Sequence, residues 1–75
     1  MEEKVKEILA NYTEVSKEDM TRESNLLTDL ALTSLDVASI AADFEDEFDV
    51  EIPDRKIPDL VTIGNIVDYL VSMEA

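Results

Sequence analysis

The sequence predicts an all-α fold, a small four-helix bundle of three main helices plus a short or broken third helix, with a long first loop. Three observations carry that expectation. Apolar residues recur at i, i+3, i+4 and i+7 in separate stretches, the spacing of one face of an α-helix. No stretch alternates apolar and polar residues as a half-buried strand does. Glycine occurs once, at Gly64, and the two prolines, Pro53 and Pro58, fall close together, so strong helix breakers concentrate in one short segment. The 75 residues leave room for a single domain, residues 1–75, with a modest core.

The first helix follows from Val5, Ile8, Leu9 and Tyr12, with Lys4, Lys6 and Glu7 facing water. Ser16, with Asp19 three residues on, resembles a capping box and predicts a short turn. That turn lies inside a connection from about Asn11 to Thr33, longer than an ordinary helix link, and Leu26, Leu27, Leu30 and Leu32 predict that it packs across the domain. Thr33 or Ser34 caps the second helix, with Asp36 placed to favour its positive end.

Laid out at about 100° per residue, the second helix separates two apolar sets. Val37, Ile40, Ala41, Phe44 and Phe48 form the stripe expected in the core. Leu35 and Ala42 lie off it at i, i+7, beside Ser39, Asp46 and Asp49, and form a candidate docking face. From Leu35 to Ile52 the chain holds Asp36, Asp43, Glu45, Asp46, Glu47, Asp49 and Glu51 and no basic residue. Pro53 stops the pattern, and Pro58 allows Asp54–Pro58 at most a turn or a broken short helix. Thr62 caps a final helix carrying Ile63, Ile66, Val67 and Leu70.

Composition excludes much chemistry. Without cysteine there is no disulfide, thiolate nucleophile or Cys-based zinc site. Without histidine the usual general base and the commonest transition-metal ligand are missing. The carboxylates of residues 43–51 lack the spacing and glycine of a calcium loop, so no metal site is expected. A formal net charge of −13 opposes binding to nucleic acid or an anionic membrane and points to basic protein partners. Neither a signal peptide nor a membrane span is expected, which makes the chain cytoplasmic in expectation.

Ser34 is the candidate functional residue. At a helix N-terminus, unpaired backbone N–H groups and the positive end of the dipole favour a phosphate on its hydroxyl. A serine there also serves simply as a cap, and its position alone leaves both roles open.

The residues together resemble the acyl carrier proteins. The resemblance runs through Asp29-Leu30, Ser34-Leu35-Asp36, Phe44-Glu45-Asp46-Glu47-Phe48, Ile52-Pro53-Asp54, Thr62-Ile63-Gly64 and Val67-Asp68-Tyr69-Leu70. It implies a freestanding carrier without catalytic activity, whose Ser34 is esterified by 4′-phosphopantetheine taken from coenzyme A by a phosphopantetheinyl transferase. Acyl groups would then ride as thioesters to fatty acid or polyketide synthesis enzymes with basic docking patches, the carrier itself being a monomer. The resemblance further implies docking through Leu35, Asp36, Ala42, Glu45, Asp46 and Glu47. It implies an acyl pocket lined by Leu26, Leu27, Ala41, Phe44, Ile52 and Leu60.

Departures from the family pattern point to a specialised carrier as readily as to a fatty acid one. Thr33 stands where the family usually has Asp, and Ala31 where it usually has Gly. Ser39 replaces an acidic residue and Ala42 a bulkier one, while Arg55, Lys56 and Pro58 alter a third element that is usually more acidic. Polyketide, aminoacyl and modified-lipid synthesis are the alternative pathways, and an unmodified acidic adaptor for a basic protein is the alternative of another class. Self-repulsion of the acidic chain predicts that millimolar magnesium raises its melting temperature; a midpoint unchanged across a magnesium titration would refute this.

Overall fold

The expected apolar stripes meet in one core. Helix α1 (Glu2–Ala10) contributes Val5, Ile8 and Leu9, and α2 (Ser34–Phe48) contributes Val37, Ile40, Ala41 and Phe44. Helix α3 (Ile63–Glu74) adds Ile63, Ile66, Val67 and Leu70, and α1 packs against both other helices. The computed structural model describes residues 1–74. Among them there is no strand; a single antiparallel bridge joins Asn25 to Thr62. Phe44 is fully buried, its ring 6.1 Å from that of Phe48, which lies half-buried at the edge of the core. Full burial of a Leu, Ile or Phe side chain contributes about 1.5–3 kcal/mol, whereas exposed ion pairs contribute little, so packing holds the bundle together.

Tyr12 lies just past the end of α1. Its phenol donates a hydrogen bond to Asp43 on α2, tying the two elements together. That bond, followed by desolvation of the ring hydroxyl, holds the phenol above its ordinary pKa.

The long connection is well anchored. Leu26, Leu30 and Leu32 are buried as expected, and so is Met20, which the sequence did not single out, but Leu27 is 53% exposed and does not pack inward. Backbone bonds lash the connection to the start of α3: Leu26 N–H to Val61 O at 3.0 Å, Ile63 N–H to Ser24 O at 3.1 Å, and Gly64 N–H to Arg22 O at 2.9 Å. Asn25 organises the next turn, its Oδ1 accepting from the N–H groups of Leu27 (2.9 Å) and Thr28 (3.0 Å). Asn and Asp side chains make such local turns because they reach backbone donors two or three residues on. The turn expected after Ser16 is the 3-10 segment Lys17–Asp19. It is no capping box: Ser16 Oγ bonds the Asp19 carboxylate at 3.1 Å, leaving the backbone donors without a side-chain cap.

The proline-containing segment forms a 3-10 helix, Asp54–Asp59, that packs against α2. Pro58 has no N–H to donate and would crowd the preceding turn of an α-helix. The segment therefore closes with tighter bonds, Lys56 N–H to Pro53 O at 2.9 Å and Leu60 N–H to Ile57 O at 3.0 Å. Helix α3 opens as expected on Thr62, whose Oγ1 accepts from Asn65 N–H at 3.2 Å. Asn65 completes the cap from the other side, its Oδ1 accepting from Thr62 N–H at 3.1 Å.

Two non-glycine residues adopt left-handed backbone conformations: Ala31 (φ 56°) and Asp49 (φ 53°). Asp49 terminates α2 in a conformation that Asp tolerates. Ala31 is less suited, because its Cβ crowds the following carbonyl at a cost of about 1–2 kcal/mol. Glycine removes that clash but adds about 0.4–1 kcal/mol of unfolded-state entropy. The balance predicts that Ala31→Gly stabilises the fold by about 0.5 kcal/mol in urea unfolding. A destabilised variant would show that the strain is absent.

Candidate functional site

The site begins with the cap of α2. Thr33 is the N-cap: its Oγ1 accepts from Asp36 N–H at 3.1 Å, while Asp36 Oδ2 accepts from Thr33 N–H at 3.0 Å. Of the two candidates that the sequence left open, Thr33 therefore does the capping, and Ser34 becomes the first helical residue. Ser34 is exposed, and its hydroxyl makes no hydrogen bond among the described residues. The Ser34 and Leu35 N–H groups have no intrahelical acceptor, which leaves two donors and the positive end of the dipole beside that hydroxyl. An oxyanion attached to Ser34 would sit where the helix favours negative charge.

Beside Ser34 opens a cleft of about 440 Å³, within the size range of small-molecule pockets. Its apolar lining is Leu27, Val37, Ile57, Pro58, Leu60 and Val61, with Asn25, Thr28 and Ser34 supplying polar groups. Of the residues proposed from sequence as an acyl pocket, Leu27 and Leu60 line this cleft. Leu26, Ala41, Phe44 and Ile52 instead belong to the buried core. Ile57, Pro58 and Val61 were not among those candidates, because the break at Pro53 hid the fact that the following segment folds back along α2. Their apolar character beside Leu60 was the available signal.

The docking candidates divide by what else they do. Leu35 is 81% exposed, and Ala42 and Asp46 are exposed on the same stripe, opposite the core face of α2. Asp36 is engaged in the cap, and Glu45 Oε2 accepts from Ile52 N–H at 2.8 Å, tying the end of α2 to the chain that follows. Glu47 lies 3.9 Å from Lys4 across a solvent-exposed gap. Among the described residues the other intramolecular ion pairs engage no α2 carboxylate: Lys6 meets Glu2, Lys17 meets Glu3, Arg22 meets Asp68 and Glu2, and Lys56 meets Asp59. Lys17 donates to Glu3 at 3.0 Å, which holds the Glu3 carboxyl below its usual range. Among the described residues no three His, Cys, Asp or Glu side chains converge as metal ligands.

The model of the phosphopantetheine attachment site matches residues 3–70, spanning the Ser34 helix start and the cleft beside it. The chain belongs to the acyl carrier protein family. An acyl carrier protein of Syntrophobacter fumaroxidans is 41% identical over all 75 residues, covering 93% of that relative. A solved structure of the acyl carrier protein from Enterococcus faecalis superposes with a TM-score of 0.83 at 34% identity, covering 95% of this chain and 90% of that one. The cofactor of this carrier is 4′-phosphopantetheine. The exposed Ser34 hydroxyl, the neighbouring N–H donors and the open cleft suit such a group. No helix among the described residues is long and apolar enough to cross a membrane.

The cap geometry separates two adjacent hydroxyl residues by experiment. Thr33→Ala removes the N-cap and is expected to cost about 1 kcal/mol of stability. Ser34→Ala removes no intramolecular bond and stays within about 0.5 kcal/mol of the parent. Equal losses by denaturant unfolding would contradict the assignment of the cap.

Proposed function

We propose that the chain is a freestanding carrier that holds acyl intermediates as thioesters on an arm attached to Ser34. The observation that carries this reading is the exposed, unengaged Ser34 hydroxyl at the first position of a helix capped by its neighbour. In the loading step the Ser34 oxygen displaces adenosine 3′,5′-bisphosphate from coenzyme A, forming a phosphodiester and losing the hydroxyl proton. The bound group supplies the thiol that this cysteine-free chain lacks. The chain's own residues contribute the attachment oxygen, the helix dipole beside it and the surface that enzymes read.

Docking centres on Leu35 and Ala42, with Asp46 offering a carboxylate on the same stripe. Asp36, Glu45 and Glu47 add to the negative field while holding their intramolecular contacts. Long-range attraction from such a surface favours rapid, weak association with Lys- and Arg-bearing enzymes, as a shuttle requires. The acyl chain shelters in the cleft of Leu27, Val37, Ile57, Pro58, Leu60 and Val61. Fatty acid synthesis or a related acyl pathway is the proposed setting, with a phosphopantetheinyl transferase as the loading enzyme.

Incubation with coenzyme A and a broad-specificity phosphopantetheinyl transferase is expected to add one arm to the intact mass, and Ser34→Ala to abolish the gain. A gain that survives in Ser34→Ala would move the attachment elsewhere. No gain, together with unmodified protein in the native cell, would favour the acidic adaptor.

A further inference from the structure

The lining of the Ser34 cleft contains two polar side chains that neither the cap nor the core explains. Asn25 and Thr28 stand among six apolar residues, Leu27, Val37, Ile57, Pro58, Leu60 and Val61. A few placed polar groups in an apolar cleft are the usual means of orienting a ligand. The orientation of the Asn25 amide is fixed, because its Oδ1 accepts from both Leu27 N–H and Thr28 N–H. Its Nδ2 donors make no bond among the described residues, and neither does the Thr28 hydroxyl. The cleft thus presents hydrogen-bond donors beside the proposed attachment point.

These donors sit on a rigid wall. Leu26 N–H reaches Val61 O at 3.0 Å, Leu32 N–H reaches Leu26 O at 3.0 Å, and Asp29 Oδ2 accepts from Asn25 N–H at 2.7 Å. Donors held by such a network need little ordering when an acceptor arrives, so the entropic cost of binding is small. An acceptor is available: a 4′-phosphopantetheine arm carries two amide carbonyls between its phosphate and its sulfur.

We infer that Thr28, assisted by Asn25, hydrogen-bonds an amide carbonyl of the arm and thereby retains the loaded chain along the cleft. The inference rests on the reading that Ser34 carries the arm. Thr28 is a positioning residue, acting on how long the thioester stays sheltered and on none of the chemistry. It also makes the cleft selective: a cargo that leaves the arm free to lie against Leu27 and Thr28 is protected, whereas one that crowds the arm outward is exposed.

Thr28→Val tests this without disturbing the Asn25 turn, since the substitution keeps the shape and deletes a hydroxyl that bonds nothing among the described residues. Intact mass first verifies that each protein carries the arm and an octanoyl group on Ser34. Cleavage of the octanoyl thioester by hydroxylamine is then expected to run about three- to tenfold faster in Thr28→Val, the change that one neutral hydrogen bond supports, with Thr28→Ser at the parent rate. The amide resonances of Asn25 and Thr28 should shift between the forms without and with the arm in the parent, and less in Thr28→Val. Loaded proteins cleaved at equal rates would overturn the inference and leave the Ser34 reading intact. An effect seen with a 3-oxooctanoyl group but not with octanoyl would also overturn it, because the donors would then read the cargo. Failure to load any of the proteins, together with unmodified protein in the native cell, would overturn both readings.

Discussion

The reciprocal hydrogen bonds between Thr33 and Asp36 fix the residue at which α2 begins, and the functional surface is laid out from that point. A start one residue later would make Ser34 the cap and turn its hydroxyl inward onto the backbone. With Thr33 in that role, Ser34 is free of structural duty, Leu35 projects into solvent and Val37 enters both core and cleft. The helical period then places Ala42 and Asp46 on the same exposed stripe as Leu35. A threonine takes here the place of the aspartate usual in the family, because its hydroxyl supplies the acceptor oxygen that the cap needs.

The distribution of charge follows a similar division of labour. The cations of α1 and the first loop are consumed mainly by carboxylates of α1 and α3, and the Lys4 to Glu47 contact is the longest of the set. Helix α2 consequently keeps its negative field. Within that field Asp43, Glu45 and Asp36 each accept a hydrogen bond from the protein itself. One set of side chains therefore supplies the negative field and also fixes the ends and packing of the helix. Neutralising any one of them would change both properties together.

Much of this was legible in the amino acids. The stripes of α1, α2 and α3 read directly as period-3.6 patterns, since every apolar position in them faces a single core. Thr62 announced the last helix, but Asn65, its reciprocal partner, carried no comparable signal because a lone Asn is common in turns and loops. The pocket was less readable. Leu26, Leu27, Leu30 and Leu32 look alike in sequence, yet the Asn25 turn rotates Leu27 outward while the other three stay buried. Such a local hydrogen-bonded turn overrides hydrophobicity, and it depends on a loop path that periodicity does not describe. The 3-10 segment was foreseen as a turn or a broken short helix, but its return along α2 depends on tertiary packing against that helix.

Gly64, the one glycine in the chain, has an ordinary backbone conformation, so its value lies in what it lacks. A Cβ at this position would stand 3.0 Å from the Arg22 carbonyl oxygen, closer than a carbon comfortably approaches. That carbonyl accepts the Gly64 N–H, in the same seam as the Ser24 to Ile63 bond and the Leu26 to Val61 bond. The seam works like a hinge pin between the first loop and the last helix. A methyl group inserted there would pry at the far end of the wall that carries Asn25, Leu27 and Thr28. The cleft beside Ser34 is thus shaped in part by an atom missing from the opposite side of the seam.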